Sequence, residues 1–551
     1  MFLLLTLLLA GTGPAADLLF EGGVVYTSAE AQPRRASIVV GEGKVLFVGE
    51  PAKARKRAGK ARRVDLKGAV VFPGWADAHL HLLDIGKASE IADLRGAANA
   101  EDAAQRLAKA AAGLPPGAWV EGDGWDQNLW PGKEFPDARS LNRAVPDRPV
   151  ASSRVDGHAL WVNEAALRAA GIESSTRDPE GGRILRRPDG SPSGVLIDNA
   201  MELVSKVVPV PSAADRERWF LAGAATCARA GLTEVQDASG YGAESVAALE
   251  RLAARGVLPI RVYATVSPDA KDLPGFLARG ARIGGPGDFL TVRAVKAYAD
   301  GALGSRGAAL LADYADESGR RGLLVTPPDR LAEIARDARK AGWQLWIHAI
   351  GDRGNRIALD AFEQAAESIP EAPEGSRRPR IEHAQVVAPE DFPRFPRLGV
   401  IASVQPTHAT SDMVWAEDRL GPSRITGAYA WQKLRKAGAL LAGGSDAPVE
   451  SERPLLGFYA AVTRQDASGK PPGGWRLNEA LSRREALALF TSDAAFAAFE
   501  EKWRGRIEPG YAADFTILAR DPLTVPETEI PRIPVSMTVV GGRIVHGPPA
   551  P

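Results

Sequence analysis

The stretch Val70-Val-Phe-Pro-Gly-Trp-Ala-Asp-Ala-His-Leu-His-Leu82 places two histidines in alternate positions of an apolar, strand-like run. Alternate side chains of a β-strand point to the same face, so His79 and His81 face the same way, with Asp77 behind them. Two neutral imidazoles one strand repeat apart can chelate a single Zn²⁺-type ion. A lone His-x-His pair also arises by chance on a strand face, so the rest of the chain decides its meaning.

Later strand-like runs end in further residues of the kinds found around metals. They are Leu290–Lys296, Gln344–His348, Arg380–His383 and Gly438–Asp446. The chain has only 7 histidines, so four of them in such positions is a large share. Helix-like segments lie between the runs, over residues 328–341, 356–368, 388–398 and 428–437. An alternation of strand, polar loop and helix is typical of a parallel α/β fold.

A closed parallel barrel would bring these distant residues together. The carboxyl ends of the strands of a (β/α)₈ barrel converge at one face, where the active sites of that fold lie. The sequence therefore predicts an α/β protein with a TIM-like (β/α)₈ barrel over residues 71–499. Six residues are expected to meet in one pocket at the mouth of this barrel: His79, His81, Lys296, His348, His383 and Asp446.

Both ends of the chain and one long internal stretch lie outside this repeating pattern. Short strand-like runs in residues 17–70 and 500–549 predict one discontinuous β-sandwich domain built from the two termini. The stretch from about residue 90 to about residue 215 is too long for one strand-to-helix loop and predicts a subdomain inserted near the barrel mouth. Within it, the run Gly181–Gly190 is typical of a hairpin, and the tryptophans form either a small core or a pocket wall.

Several short motifs resemble the amidohydrolase superfamily. The run Phe72–Leu82 is similar to the opening metal motif of that superfamily. Further runs narrow the resemblance to the amidohydrolase-3 branch, which includes N-substituted formamide deformylase-like proteins: Gly124–Asp126, Asp156–Asn163, Gly194–Met201, Ala299–Arg306, Ile347–Asp352, Glu382–Gln385 and Gly444–Pro448. The similarity covers residues 17 to 546, nearly the whole chain. It implies a hydrolase, but the fold alone does not fix the substrate.

The resemblance also implies a binuclear metal centre with a carboxylated lysine. One divalent ion, expected to be Zn²⁺, would be held by His79, His81, Lys296 and Asp446, and a second by Lys296, His348 and His383. Burial lowers the pKa of a lysine, and the neutral amine can react with CO₂ to give an anionic carbamate that bridges two metals. A strand-end lysine that pairs with Asp300 is the alternative.

This set of ligands predicts a reaction. A water between two cations becomes a hydroxide nucleophile near neutral pH, while a metal polarises the scissile carbonyl. Asp446 would act as the proton shuttle, first as a general base and then as an acid toward the leaving amine. The expected function is hydrolysis of carbon–nitrogen bonds other than peptide bonds, in amide or formamide-type substrates. Capping of a following helix is another use of Asp446, and it does not exclude ligation.

Two other functions stay open at this level. A deaminase-like hydrolase would use a single metal, but those relatives carry a His-x-x-Glu type helper, and no such motif follows His348. A catalytically inactive, ligand-binding descendant would usually have lost at least one ligand by drift, whereas the set is complete. The number of metal ions per chain separates the three functions.

Five further residues are candidates for substrate binding: Trp125, His158, Arg306, Asp352 and His408. Trp125 lies in a family-like motif, and Arg306 and Asp352 follow strands that end in metal ligands. The two histidines stand in polar loops, where a satisfied histidine without a function is equally common. Gln236 departs from the pattern of the branch, in which a histidine is common at this position, so a substrate contact there is in doubt.

The composition is that of a globular enzyme. Of 551 residues, 68 are Lys or Arg and 68 are Asp or Glu, so no net field favours nucleic acid or an anionic membrane. A small-molecule substrate is expected, without a nucleic-acid partner or stable membrane insertion, and a homodimer stays open. The single cysteine, Cys227, excludes an intrachain disulfide and is expected to be a buried, inert thiol.

The amino terminus has a different composition from the rest. Met1–Ala10 is a short apolar run followed by small residues, which fits the apolar core and cleavage zone of a signal peptide over residues 1–16. The run is too short to span a bilayer as a stable helix. No Lys or Arg precedes it, so a misassigned start or a buried first strand is the alternative. Export to the periplasm or the extracellular space is predicted if the run is a signal peptide, and a cytoplasmic location otherwise.

Overall fold

The repeated strand–loop–helix pattern forms a parallel eight-stranded sheet in which strands adjacent in sequence are adjacent in space. The computed structural model describes residues 16–269 and 271–548, so the predicted signal peptide lies outside the described residues apart from its last residue. The strands of this sheet are β6 (Trp75–Leu80), β13 (Leu232–Tyr241), β14 (Arg261–Val266), β15 (Leu290–Tyr298), β16 (Gln344–Ala349), β17 (Arg380–His383), β18 (Ile401–Val404) and β19 (Leu440–Gly443).

The first and last strands of this sheet are joined by backbone hydrogen bonds at their carboxyl ends. The Asp446 N–H donates to the carbonyl of His79, and the His81 N–H donates to the carbonyl of Ala447, both at 2.7 Å. Gly444 allows this close approach, because a Cβ there would lie 2.5 Å from the backbone nitrogen of His79. The sheet therefore closes at the end that carries the predicted ligands, and the predicted barrel is confirmed.

The helices lie mostly between successive strands. They are α1 (Pro51–Ala58), α2 (Leu82–Lys87), α3 (Ala100–Ala111), α4 (Ala138–Ala144), α5 (Glu164–Ala169), α6 (Glu202–Ser205), α7 (Ala213–Arg229), α8 (Ala243–Ala254), α9 (Leu273–Arg279), α10 (Pro328–Ala341), α11 (Asp352–Ser368), α12 (Arg394–Leu398), α13 (Pro406–Asp412), α14 (Ala416–Arg424), α15 (Trp431–Ala437), α16 (Pro454–Thr463), α17 (Arg483–Leu489) and α18 (Ser492–Ala497). Among the described residues, none of these helices is both long enough and apolar enough to cross a membrane.

The predicted helix over residues 328–341 is α10, whereas the one over 388–398 is divided. A short 3-10 turn, Pro389–Asp391, precedes α12. Pro393 stands between them and Pro396 lies inside α12, and neither has an N–H to donate to the preceding turn. The helix predicted from residue 356 begins earlier, at Asp352. Cys227 is buried in α7 as expected.

Strands from the two termini form a second sheet. They are β1 (Leu18–Val25), β2 (Arg34–Gly41), β3 (Lys44–Gly49), β4 (Arg62–Asp65), β5 (Val70–Pro73), β20 (Phe515–Leu518), β21 (Val535–Val540) and β22 (Arg543–His546). One edge of β1 is shared, because its first half pairs with β4 and its second half pairs with β5. The sheet forks there, and a common core that includes Phe20, Val64 and Phe515 joins the branches. The amino- and carboxyl-terminal strands therefore share one sheet.

The long internal stretch carries a third sheet, which we call the inserted sheet. Its strands are β7 (Ala92–Asp93), β8 (Val120–Trp125), β9 (Val150–Arg154), β10 (Ala159–Val162), β11 (Gly182–Arg186) and β12 (Pro192–Asp198). The antiparallel pair β11 and β12 is the predicted hairpin. Trp125 is 0% exposed and packs against Trp130 and Trp161, and its indole N–H donates to the carbonyl of Ser152 at 2.9 Å. The ring of Trp125 therefore belongs to the core of this sheet, and its contact with a substrate stays a prediction.

Candidate metal centre

Asp446 stands between the two histidines of the opening motif. Its Oδ1 atom lies 3.3 Å from His79 Nε2 and 3.0 Å from His81 Nε2. Asp77, below them on β6, accepts hydrogen bonds from the backbone N–H groups of His79 at 2.9 Å and Ser445 at 3.1 Å. The side chain of Asp77 thus ties β6 to the segment after β19, and the three potential ligands form one compact group.

Each of three histidines has its Nδ1 atom engaged by a polar neighbour. His79 Nδ1 donates to the carboxylate of Glu382 at 2.5 Å, because a carboxylate can only accept. His81 Nδ1 lies 3.1 Å from the hydroxyl of Ser239, and His383 Nδ1 lies 2.8 Å from Gln405 Oε1. A partner on Nδ1 fixes the ring and leaves Nε2 for a metal, as in known metal sites.

The histidines that end β16 and β17 join this group. The ring centroid of His383 lies 4.9 Å from that of His79 and 4.6 Å from that of His348. Burial lowers the pKa of His348 and of His383 well below the usual range of histidine. Both rings are therefore neutral near pH 7, which is the form that binds a metal ion.

His408, which was predicted only to bind substrate, also lies against this group. Its ring stacks on that of His383 with a centroid separation of 5.8 Å and an interplanar angle of 12°. Its Nε2 atom lies 3.6 Å from Asp446 Oδ2. The nitrogens of His383 and His408 and a carboxylate oxygen of Asp446 lie close enough together to hold one ion.

Lys296 is buried next to the group and makes few polar contacts. Its ammonium donates to the carbonyl of Ala238 at 3.2 Å and lies 4.6 Å from the centre of the Tyr298 ring. Burial lowers its pKa to about 8, although the carboxylates of Glu382 and Asp446 raise it. A lysine with this pKa is neutral in a substantial fraction of molecules near pH 8.

The alternative pairing of Lys296 with Asp300 is absent. The Asp300 carboxylate instead accepts the backbone N–H groups of Ala309, Ile350 and Gly351, at 2.8, 2.9 and 2.8 Å. It fastens the loop that follows β15 to the end of β16. The buried amine of Lys296 therefore keeps no ion pair with this carboxylate.

The inserted sheet contributes His158 to the surroundings of the site. The ring of His158 lies 4.9 Å from that of His348, and its Nδ1 atom lies 2.6 Å from the carboxylate of Asp198 at the end of β12. The side chain is 16% exposed, so part of the ring faces open space. This position is compatible with the predicted contact to a substrate.

Arg306 and Asp352, which are predicted to contact substrate, both make polar contacts with loop residues. The guanidinium of Arg306 pairs with the carboxylates of Asp316 at 2.9 Å and Glu317 at 3.2 Å. The Asp352 carboxylate accepts the backbone N–H groups of Leu311 at 2.8 Å and Arg353 at 3.0 Å. Both side chains thus hold the segment that follows β15, and their contacts with a substrate stay predictions.

The side chains fit a divalent cation. Buried polar atoms normally have partners, yet His79 Nε2 and His408 Nε2 are buried without a hydrogen-bond partner among the described residues. Imidazole nitrogens together with a carboxylate are a ligand set typical of Zn²⁺. An ion among them would satisfy these nitrogens and offset the negative charge of Asp446.

Comparison with known proteins agrees with this geometry. Residues 62–546, which are most of the chain, match the sequence model of the Amidohydrolase family. The chain belongs to the amidohydrolase family. This amidohydrolase is 35% identical over 534 residues to the amidohydrolase YtcJ of Bacillus subtilis (strain 168), with 96% of this chain and 99% of that protein covered.

Two more proteins are similar to this amidohydrolase, one in sequence and one in structure. It is 26% identical over 543 residues to the N-substituted formamide deformylase of Arthrobacter pascens, with 96% of this chain and 97% of that protein covered. Its structure is similar to that of a metal-dependent hydrolase from Pyrococcus horikoshii OT3, with a TM-score of 0.75 and 31% identity, covering 93% of this chain and 99% of that one. The predicted family is thus confirmed.

Residues that were not predicted from the sequence form hydrogen bonds that fix the histidine rings of this amidohydrolase. Glu382, which binds His79, is itself held by Arg380 at 2.8 Å, and both side chains are fully buried. Two opposite charges in alternate positions of the strand-like run Arg380–His383 were the available signal. Gln236 lies in the same network, where it hydrogen-bonds Arg380 and donates to Glu234. Gln236, which stands where the branch commonly has a histidine, therefore bonds to residues in the barrel interior.

Proposed function

We propose that this amidohydrolase is a metal-dependent hydrolase that cleaves carbon–nitrogen bonds other than peptide bonds in small amide or formamide-type substrates. The observation that carries the proposal is the arrangement of histidine nitrogens around the Asp446 carboxylate. The N-substituted formamide deformylase of A. pascens, which is similar to this chain over nearly its whole length, supports the choice of bond.

The residues that would hold two Zn²⁺ ions surround Asp446. His79, His81, Asp446 and Lys296 would hold one ion, and Lys296, His348 and His383 the other. Bound divalent ions would supply Lewis acidity, which lowers the pKa of water and polarises a carbonyl group. Carboxylation of Lys296 is supported by its burial and lowered pKa and by the absence of a pairing with Asp300.

Asp446 is suited to moving the proton in this reaction. Its Oδ1 atom faces His79 and His81, so Oδ2 has lone pairs left to accept a proton from the attacking water. The same oxygen then delivers that proton to the leaving nitrogen, which departs as a neutral amine. Only 6% of Asp446 is exposed, so bulk water competes little for the proton.

His158 would orient the substrate from the side of the inserted sheet. Its hydrogen bond to Asp198 fixes the ring, and its position beside His348 would place it against a substrate bound next to that histidine. A group held rigidly at the edge of a site positions a substrate at low entropic cost. The inserted sheet is therefore proposed to shape substrate choice.

A substrate panel tests this function. Purified full-length protein loaded with Zn²⁺ is mixed with N-formyl amines, N-acyl amines, cyclic amides and esters, and the release of amine or acid is measured. We expect amine release from at least one of the first three classes, and loss of that release after metal removal by a chelator. Cleavage of esters alone, or amine release that is unaffected by metal removal, would overturn the proposal.

A further inference from the structure

His408 lies beside Asp446 but is outside the family-like ligand set. It lies in α13, which follows the carboxyl end of β18, so it approaches Asp446 from a strand that supplies no other ligand. The residue is 9% exposed, and its Nε2 atom has no hydrogen-bond partner among the described residues. A buried imidazole nitrogen that lies beside a carboxylate and has no hydrogen-bond partner is expected to bind a group that the protein itself does not supply.

The two oxygens of Asp446 face different histidines. Oδ1 lies 3.0 Å from His81 Nε2, whereas Oδ2 lies 3.6 Å from His408 Nε2. Two ligands about 2.1 Å from one four- or five-coordinate zinc ion lie roughly 3.0 to 3.6 Å apart at bond angles of about 90° to 120°, a range that includes the second separation. A hydrogen bond of 3.6 Å would be outside the normal range. The Oδ2–Nε2 separation therefore fits two ligands of one ion better than a direct contact.

The backbone around this group is strained. His383 and Asp446 have φ angles of 73° and 62°, values that side chains other than glycine seldom adopt. Such conformations cost about 1–3 kcal/mol each and cluster at functional sites, where the surroundings enforce them. For Asp446, the two 2.7 Å hydrogen bonds that close the barrel enforce the conformation.

We propose that His408 is a metal ligand, which binds the second ion together with His383 and with Oδ2 of Asp446. The inference rests on the proposed function, because it requires the two-ion site. Asp446 then contributes one oxygen to each ion, and the remaining lone pair of Oδ2 accepts the proton. His408 thereby belongs to the metal centre, and the substrate contact predicted for it from the sequence is replaced.

Metal binding to three variants tests this inference. The metal content of full-length wild type, His408→Ala and His158→Ala is measured after loading with Co²⁺, and the affinity of each ion is measured by competition with a chelator. His158 is the matched control, because it also borders His348 but has no place in the ligand group. We expect two ions in wild type and in His158→Ala. In His408→Ala the dissociation constant of the second ion should rise at least about 100-fold.

A further variant distinguishes the loss of a metal ligand from a general structural effect of the substitution. His408→Asp supplies a carboxylate at the same position and should recover part of the second affinity and of the visible Co²⁺ absorption. If His408→Ala binds two ions as tightly as wild type, or if His408→Asp binds the second ion no better than His408→Ala, the inference is wrong. A wild type that binds no divalent ion would instead overturn the proposed function.

Discussion

Glu382 accepts a hydrogen bond from His79 Nδ1 at 2.5 Å inside the barrel, where neither side chain is exposed. Arg380 holds the other side of this carboxylate. The hydrogen bonds that join Arg380, Glu382 and His79 therefore set the orientation of the His79 ring and decide which of its nitrogens carries the proton. A metal centre assembled in this way would depend on residues that do not touch the metal.

Glu382→Gln is expected to weaken metal binding by about 10–100-fold, because the neutral amide holds the His79 ring less firmly. The change also leaves Arg380 without its buried counter-charge, so the free energy of unfolding should fall by about 3–5 kcal/mol. Chelator competition on the folded protein measures the first effect and denaturant unfolding the second. Glu390→Gln, which removes an exposed carboxylate that pairs with Arg356, is the control and should change neither. Unchanged metal affinity in Glu382→Gln would contradict the role given to this contact.

Asp446→Asn should lower kcat by about 10²–10⁴-fold, because it removes the group that moves the proton. The amide keeps one oxygen that can face His79 and His81, so the fold and the ion bound there should remain. Turnover and metal content are measured on the same preparation. Wild-type turnover in this variant with its metal present would remove Asp446 from the mechanism.

Lys296→Ala should lose both ions and the activity, since the proposed carbamate bridges them. Bicarbonate alone should not restore either property, whereas a short carboxylic acid, which can occupy the vacated space as a bridging anion, should restore part of both. Metal analysis and turnover with and without added acid make the comparison. If Lys296→Ala keeps two tightly bound ions without any added acid, Lys296 is not the bridge.

Trp125→Ala should destabilise the protein by about 3–5 kcal/mol, because it empties space in the core of the inserted sheet. The milder change Trp125→Phe keeps most of the apolar volume and should leave KM close to that of wild type. Denaturant unfolding and steady-state kinetics provide the two measurements. A large rise in KM for Trp125→Phe with unchanged stability would return Trp125 to the substrate pocket.

Much of the barrel and of the candidate site could be predicted because the signals are local. The alternation around His79 and His81 and the strand-like runs that end in His348 and His383 follow from strand geometry. A closed barrel then brings the strand ends to one face, as the contact between Asp446 and His81 illustrates.

The rest depends on contacts between distant residues. The partner of His79, Glu382, lies 303 residues away, so no local pattern reveals it. Arg306 and Asp352 follow metal-ligand strands, but the path of the loop after β15 turns them toward Asp316 and Leu311. Trp125 lies in a family-like motif, and only the packing of the inserted sheet shows that its ring is in a core.

The central claim is that the histidine group around Asp446 is a two-ion hydrolytic centre. Its most direct test is the number of divalent ions in the purified full-length protein, determined by elemental analysis and compared with turnover as the ions are removed and returned. We predict two ions per chain and turnover that falls and recovers with them. A fully active protein that contains no divalent ion would contradict the claim.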